Sequence, residues 1–142
     1  MINKNDIVIE YLRQCPALAD LFFNFGEGKN GDTIFSTNGN DYVYEEYIDG
    51  TKLKWYDFTI IQFKPANTHP NNPVNADALF DFEQIAAWVE QQNNSENYPD
   101  FGEKCKINDF YVVPNSATVA GRDYLGAKYM MTCRIEYTER KK

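Results

Sequence analysis

Histidine and cysteine are scarce in this chain, with His69 alone and only Cys15, Cys105 and Cys133. An odd set of thiols without metal-ligand spacing argues against a disulfide framework and reads as reduced packing residues. His69 stands in "NTHPNN" with no Cys or Asp beside it, the setting of a surface-loop residue rather than a ligand or general base. The nucleotide-binding GxxxxGK[ST], the metalloprotease HExxH, the hydrolase GxSxG and CxxC are all missing. No apolar run approaches the ~20 residues of a membrane span. The opening "MINKNDIVIEYL" lacks the basic region, apolar stretch and cleavage site of a signal peptide, so the expected location is the cytoplasm of the producing cell. Basic surface is also short. Fourteen Lys and Arg stand against 21 Asp and Glu, a net charge of −7, and the one basic cluster is the tail "ERKK". Such a chain has little with which to displace counterions from DNA, so duplex binding at physiological salt is not expected.

What the chain does have is aromatic surface, at 15% of residues, and 142 residues in which to bury it. That length fits one domain, 1–142, able to bury about 70% of its unfolded surface without staples. Residues 3–14 carry a helical apolar side through Ile7, Ile9 and Leu12, capped by Asn5 or Asp6 and ended by Pro16. "ALADLFFNFGEG" continues as an apolar turn or second helix, and Thr33–Ser36 as a short strand between glycine turns. In "DYVYEEYIDGTKLKWYDFTIIQFKP" the Asp49-Gly50 pair marks a two-residue hairpin turn, which sets Glu45 opposite Lys54 and Tyr44 opposite Trp55. One face of this hairpin holds Val43, Tyr56, Phe58 and Ile60. The other holds Tyr42, Tyr44, Leu53, Trp55, Ile61 and Phe63, so both faces call for cover.

A Pro- and Asn-rich loop leads to "NADALFDFEQIAAWVEQQN", a helix over 76–93 with Asn75 as its cap. Ala78, Leu79, Phe82, Ile85, Ala86 and Val89 form its apolar stripe. Trp88 stands at the stripe's edge, and Phe80 nearly opposite its centre beside Gln84, Ala87 and Gln91. Either loops and core absorb these two aromatics, or the outer helix face meets another copy of the chain. Two strands follow, "CKINDFYVV" and "AKYMMTCRIEY", joined by the thirteen-residue loop "PNSATVAGRDYLG". A connection of that length is usually functional. Its Arg122 and Asp123 read equally as an interaction tip or a solvated turn. Paired-acid chemistry is not expected: Glu45 and Glu46 point to opposite faces of a strand, and Asp81 and Glu83 diverge on a helix. The whole reads as an α+β domain, a mostly antiparallel sheet of about five strands packed with two or three helices.

"YDFTIIQF", the Pro/Asn loop, "LFDFEQIAAWVEQQN", "YPDFGEKC" and "VVPNSATVAG…GAKYMMTCRIEY" together resemble the small tail-terminator proteins of long-tailed bacteriophages, also labelled minor capsid proteins. The likeness spans roughly residues 40–138 and is most characteristic in "PDFGE" and in the final loop and strand. Before residue 40 only the element order matches. The resemblance implies a tail-terminator-like subunit of a hexameric ring, a homo-oligomer at the head-proximal end of the virion tail. Such a ring caps the tail tube, stops its polymerisation and docks to the neck connector. DNA crosses its lumen unbound, a role to which an acidic balance is suited. No catalysis, cofactor, metal or membrane is implied. The expected partner contacts are the outer helix side, with Phe80, Gln84 and Trp88, and the loop residues Asn115, Arg122, Asp123 and Tyr124. Alternatives are another neck or tail-tube component, a carbohydrate- or peptide-binding module built on Tyr42, Tyr44, Trp55 and Tyr56, or a small enzyme.

Overall fold

A computed structural model describes residues 4–18, 22–23, 33–37, 42–64, 73–114, 118–122 and 127–140. Two thirteen-residue antiparallel strands form its axis, β4 (Lys52–Lys64) and β7 (Ala127–Glu139), paired along their whole length from Lys52↔Glu139 to Lys64↔Ala127. Beside β4 lie β3 (Tyr42–Glu46) at one end and β2 (Thr33–Thr37) at the other, and β1 (Phe22–Phe23) runs parallel to β2. Beside β7 lie β5 (Cys105–Val112) and β6 (Thr118–Arg122), again at opposite ends. The result is a mostly antiparallel sheet with helices α1 (Lys4–Leu12) and α2 (Pro73–Asn94) and a 3-10 turn at Pro16–Leu18, an α+β domain.

Alternation decides which residues meet the helices. Tyr56, Phe58 and Ile60 of β4 and Tyr129, Met131, Cys133, Ile135 and Tyr137 of β7 are all buried, at every second position as strand pleating requires. Val8, Ile9, Tyr11 and Leu12 of α1 and Phe82, Ile85 and Val89 of α2 close the same core. Helical spacing puts these side chains on one stripe of each helix. Both helices therefore cover one face of the sheet. The expectation that both faces are covered is not met among the described residues: Leu53, Trp55, Asp57, Thr59 and Ile61 on the opposite face are only half-buried.

Several local readings are corrected. Helix α2 begins at Pro73, whose locked φ suits the first helical turn, so Asn75 lies inside the helix instead of capping it. Asn5 lies within α1, and its side-chain oxygen accepts a hydrogen bond from the Tyr56 hydroxyl. The β3–β4 turn uses three residues, not two. Gly50 N–H donates to the Tyr47 carbonyl (2.9 Å), Tyr47 N–H to that of Thr51 (2.8 Å), and Gly50 takes a φ of 90°. This is a type I turn closed by a left-handed glycine. With a bulge between Val43 and Glu45 it sets Tyr42 opposite Trp55 and Val43 opposite Lys54, and Val43 is exposed. The segment read as apolar turn or second helix after Pro16 gives the 3-10 turn and the short β1. The loop of 114–126 contains β6, whose Thr118 and Val119 pair with Met130 and Tyr129 of β7, and after a bulge at Ala120 Gly121 and Arg122 pair with Lys128 and Ala127.

The C-terminus of α2 is closed by a Schellman motif. Asn97 N–H donates to the Gln92 carbonyl (3.0 Å), Glu96 N–H to that of Asn93 (3.2 Å), and Glu96 holds a left-handed φ of 56°. Asn93 then ties the helix to the sheet: its side-chain oxygen accepts from Phe110 N–H at 3.0 Å and from the Tyr98 hydroxyl at 2.7 Å. Below it, "PDFGE" folds as an Asx turn, with Gly102 N–H donating to Asp100 Oδ1 at 2.9 Å. Phe101 is thereby driven into the core against Tyr137 and Tyr56, with ring centroids 5.2 and 5.9 Å away.

Candidate interaction surfaces

The outer side of α2 is as the helical period requires: Glu83, Gln84, Ala87, Glu90 and Gln91 are exposed. Trp88 is not part of that side. Its ring lies 5.2 Å from that of Tyr11 and packs on the core. The Tyr11 hydroxyl donates to the Asn97 carbonyl at 2.7 Å, and burial pushes its pKa well up. Of the other residues expected at a contact, Phe80 and Arg122 have their backbones in α2 and β6 but their side chains lie outside the described part. Asn115, Asp123 and Tyr124 lie outside the described residues altogether, as does His69. The structure thus brings Gln84 to the outer helix face and assigns Trp88 to the core.

The open face of the sheet carries a ladder of cross-strand pairs. From end to end they are Leu53↔Thr138, Trp55↔Glu136, Asp57↔Arg134, Thr59↔Thr132 and Ile61↔Met130. Arg134 clasps Asp57 through two bonds, Nε to Oδ1 at 2.8 Å and Nη2 to Oδ2 at 3.0 Å, and its guanidinium carbon lies 4.0 Å from the Trp55 ring centroid. Trp55 Nε1–H donates to Glu136 at 3.0 Å, the two threonine hydroxyls meet at 3.1 Å, and Tyr44 packs on Trp55 at 4.8 Å. The Asp57 carboxylate keeps Arg134 firmly protonated. Directional bonds on both partners make this a stiff, amphipathic surface. It is not the four-aromatic platform a sugar-binding module needs. Tyr56 is only 4% exposed on the far face, and Trp55 is already engaged by Arg134 and Tyr44.

A third feature was not foreseen. Where β4 begins and β7 ends, a cleft of about 820 Å³ opens between Lys4, Lys52, Lys104, Arg140, Glu46 and Glu139. Glu139 is shared by Lys4 (3.9 Å) and Lys54 (3.7 Å), and Lys4 lies 5.2 Å from the Tyr137 ring centroid. Arg140 donates to the Glu103 carbonyl at 3.0 Å. These residues lie on separate segments, joined by the Lys52↔Glu139 and Cys105↔Glu139 registers and by the Lys4–Glu139 ion pair, and no local sequence signal marks them.

Cys105 borders the cleft with its thiol 3.8 Å from Glu139. Burial and then that carboxylate push its pKa up, the opposite of what activates a thiol nucleophile. Cys133 is buried, its pKa also raised. Cys133 pairs across from Val112 and Cys105 from Glu139, so six strand steps, about 20 Å, separate the two thiols and no disulfide joins them. Among the described residues no three His, Cys, Asp or Glu converge on a metal position, and no helix is long and apolar enough to cross a membrane. Neither a known protein family nor a characterised protein matches this chain in sequence comparison.

Proposed function

We propose that this chain is the structural subunit of a phage tail terminator. In this reading it forms a ring of about six copies that caps the tail tube, halts its growth and meets the neck connector, while DNA crosses the lumen unbound. The observation that carries the reading is the one-sided sheet. Two thirteen-residue strands present a rigid amphipathic face that no helix covers among the described residues. A monomer that leaves such a face to water gains nothing from it, whereas a subunit built into an assembly buries it. The exposed side of α2 and the segment around Arg122 to Tyr124 are the further contacts, with Phe80 and Asn115 among them. The resemblance of residues 40–138 to the tail-terminator family supplies the particular assembly. In this reading no cofactor or catalysis is involved, and the protein resides in the virion tail.

Electron microscopy of the purified protein, alone and mixed with tail tubes of the same phage, tests the proposal. Closed rings of about six copies, or density capping one tube end, are expected. Long polymers made by the protein alone would assign it to the tube instead. A protein that neither closes into rings nor binds a tube end would end the reading.

A further inference from the structure

The distribution of charge along the chain is lopsided. Residues 65–103 contain seven Asp and Glu and no Lys or Arg, so they carry the entire net charge of −7, and the remainder is balanced at fourteen of each sign. The fold sets part of this segment apart from the basic residues. Glu83 and Glu90, seven residues and two turns apart, lie on one exposed stripe of α2 with no cation on that helix. Around the cleft, in contrast, Lys4, Lys52, Lys54, Lys104, Lys106 and Arg140 face three carboxylates, and Glu139 is already held by two of these lysines. Among the described residues neither Lys52 nor Lys104 has a carboxylate within ion-pair distance.

The two poles cannot neutralise each other within one subunit. Phe82 packs on Tyr129, with ring centroids 6.4 Å apart, whereas the cleft lies at Glu139. Ten strand steps at about 3.3 Å place the Glu83 turn roughly 30 Å from the cleft, and Asn93, one turn past Glu90, is tied to Phe110 opposite Ile135, four steps or roughly 13 Å from Glu139 and still beyond ion-pair reach. Complementary patches at different ends of one chain are what a head-to-tail contact requires, and a head-to-tail contact that closes on itself is a ring.

We infer that the cleft between Lys52, Lys104 and Arg140 receives the Glu83–Glu90 side of α2 from a second copy of this chain. The inference rests on the ring reading for its symmetry, but the contact itself stands on the charge pattern. The outer helix face acts here through carboxylates, with Gln84 and Gln91 as their polar flank.

The full-length chain tests it through two double variants, Lys52→Glu/Lys104→Glu and Glu83→Lys/Glu90→Lys. Each alone sets like charges against each other at every contact. Mixed one to one, the variants restore opposite charges at every contact of an alternating ring. Native mass spectrometry and light scattering read the assembly, and circular dichroism confirms that both variants are folded. The expectation is that each variant alone associates at least about tenfold more weakly than wild type, and that the mixture recovers. Raising salt from about 0.05 to 0.5 M should weaken the wild-type contact as well. If either variant fails to fold, Lys52→Gln/Lys104→Gln replaces it, and a weakened association with a reduced salt dependence is expected. Variants that assemble like wild type overturn the inference and leave the ring standing, as does a mixture that fails to recover. Charge-dependent dimers that never close keep the contact and overturn the ring. A wild-type chain that stays monomeric at millimolar concentration overturns the inference, and the ring reading is then decided by tube-end capping. Salt-sensitive binding of duplex DNA, lost in Lys52→Glu/Lys104→Glu, would reassign the cleft to nucleic acid.

Discussion

Replacing Trp88 by alanine separates core from contact on α2. The indole packs against Tyr11, with centroids 5.2 Å apart, and lies on the buried cluster without being fully enclosed. A fully buried Trp→Ala change costs about 3–5 kcal/mol. Partial enclosure reduces the figure, and loss of the Tyr11 ring pair accounts for about 0.5–1.5 kcal/mol of what remains. A cost of about 2–3 kcal/mol to the isolated subunit follows. For 142 residues the unfolding entropy is about 0.3 kcal/mol/K, so the melting temperature should fall by about 7–10 °C. Differential scanning calorimetry on a sample shown by light scattering to be monomeric measures this directly. A fall of less than about 2 °C, with assembly weakened instead, would mean that Trp88 is an anchor for a neighbour and that its packing on Tyr11 is incidental.

Glu96→Gly should stabilise the subunit by about 0.5–1 kcal/mol, seen as a raised urea midpoint, because Glu96 occupies the left-handed position of the α2 cap; a lowered midpoint would show that the Glu96 side chain contributes more than its backbone costs. Arg134→Met should cost about 1–2 kcal/mol, the sum of a half-exposed ion pair and a cation–π contact. A double-mutant cycle with Trp55→Leu should return a coupling of about 0.5–1 kcal/mol, and a zero coupling would refute the stacking. Stability should also fall in alkali. Burial raises the folded pKa of Cys15, Cys105 and Cys133 above the ordinary 9.0, and that of Tyr11 above 10.0. The folded chain therefore holds protons that the unfolded chain releases. The contribution is complete below about pH 9 and is lost as pH climbs toward the folded values. Urea midpoints at pH 7.5, 9 and 10.5 should step downward, and a flat series would contradict the burial of these groups.

Local periodicity was enough to find the two helices and the long strands. Alternation from Tyr129 to Tyr137 marks the inner face of β7, and Phe82, Ile85 and Val89 mark the inner stripe of α2, because each pattern repeats with the geometry of its own backbone. Asp49-Gly50 located a hairpin but not its register. The glycine serves a two-residue or a three-residue turn, and hydrogen bonds from Tyr47 and Gly50 selected the longer one. Likewise "TVAGR" is a plausible loop until β7 offers it an edge, since strand pairing is a non-local event. That α1 and α2 both lie on one face, leaving the Trp55–Arg134 ladder open, could not be read from either helix. Each has a single apolar stripe, and a stripe says nothing about which side of a sheet it will meet. The basic cleft depends on tertiary structure still more. Lys4, Lys52, Lys104 and Arg140 are scattered along the chain, and they meet at one end because β4 and β5 pair with β7 so that Lys52 and Cys105 both lie opposite Glu139, to which α1 brings Lys4.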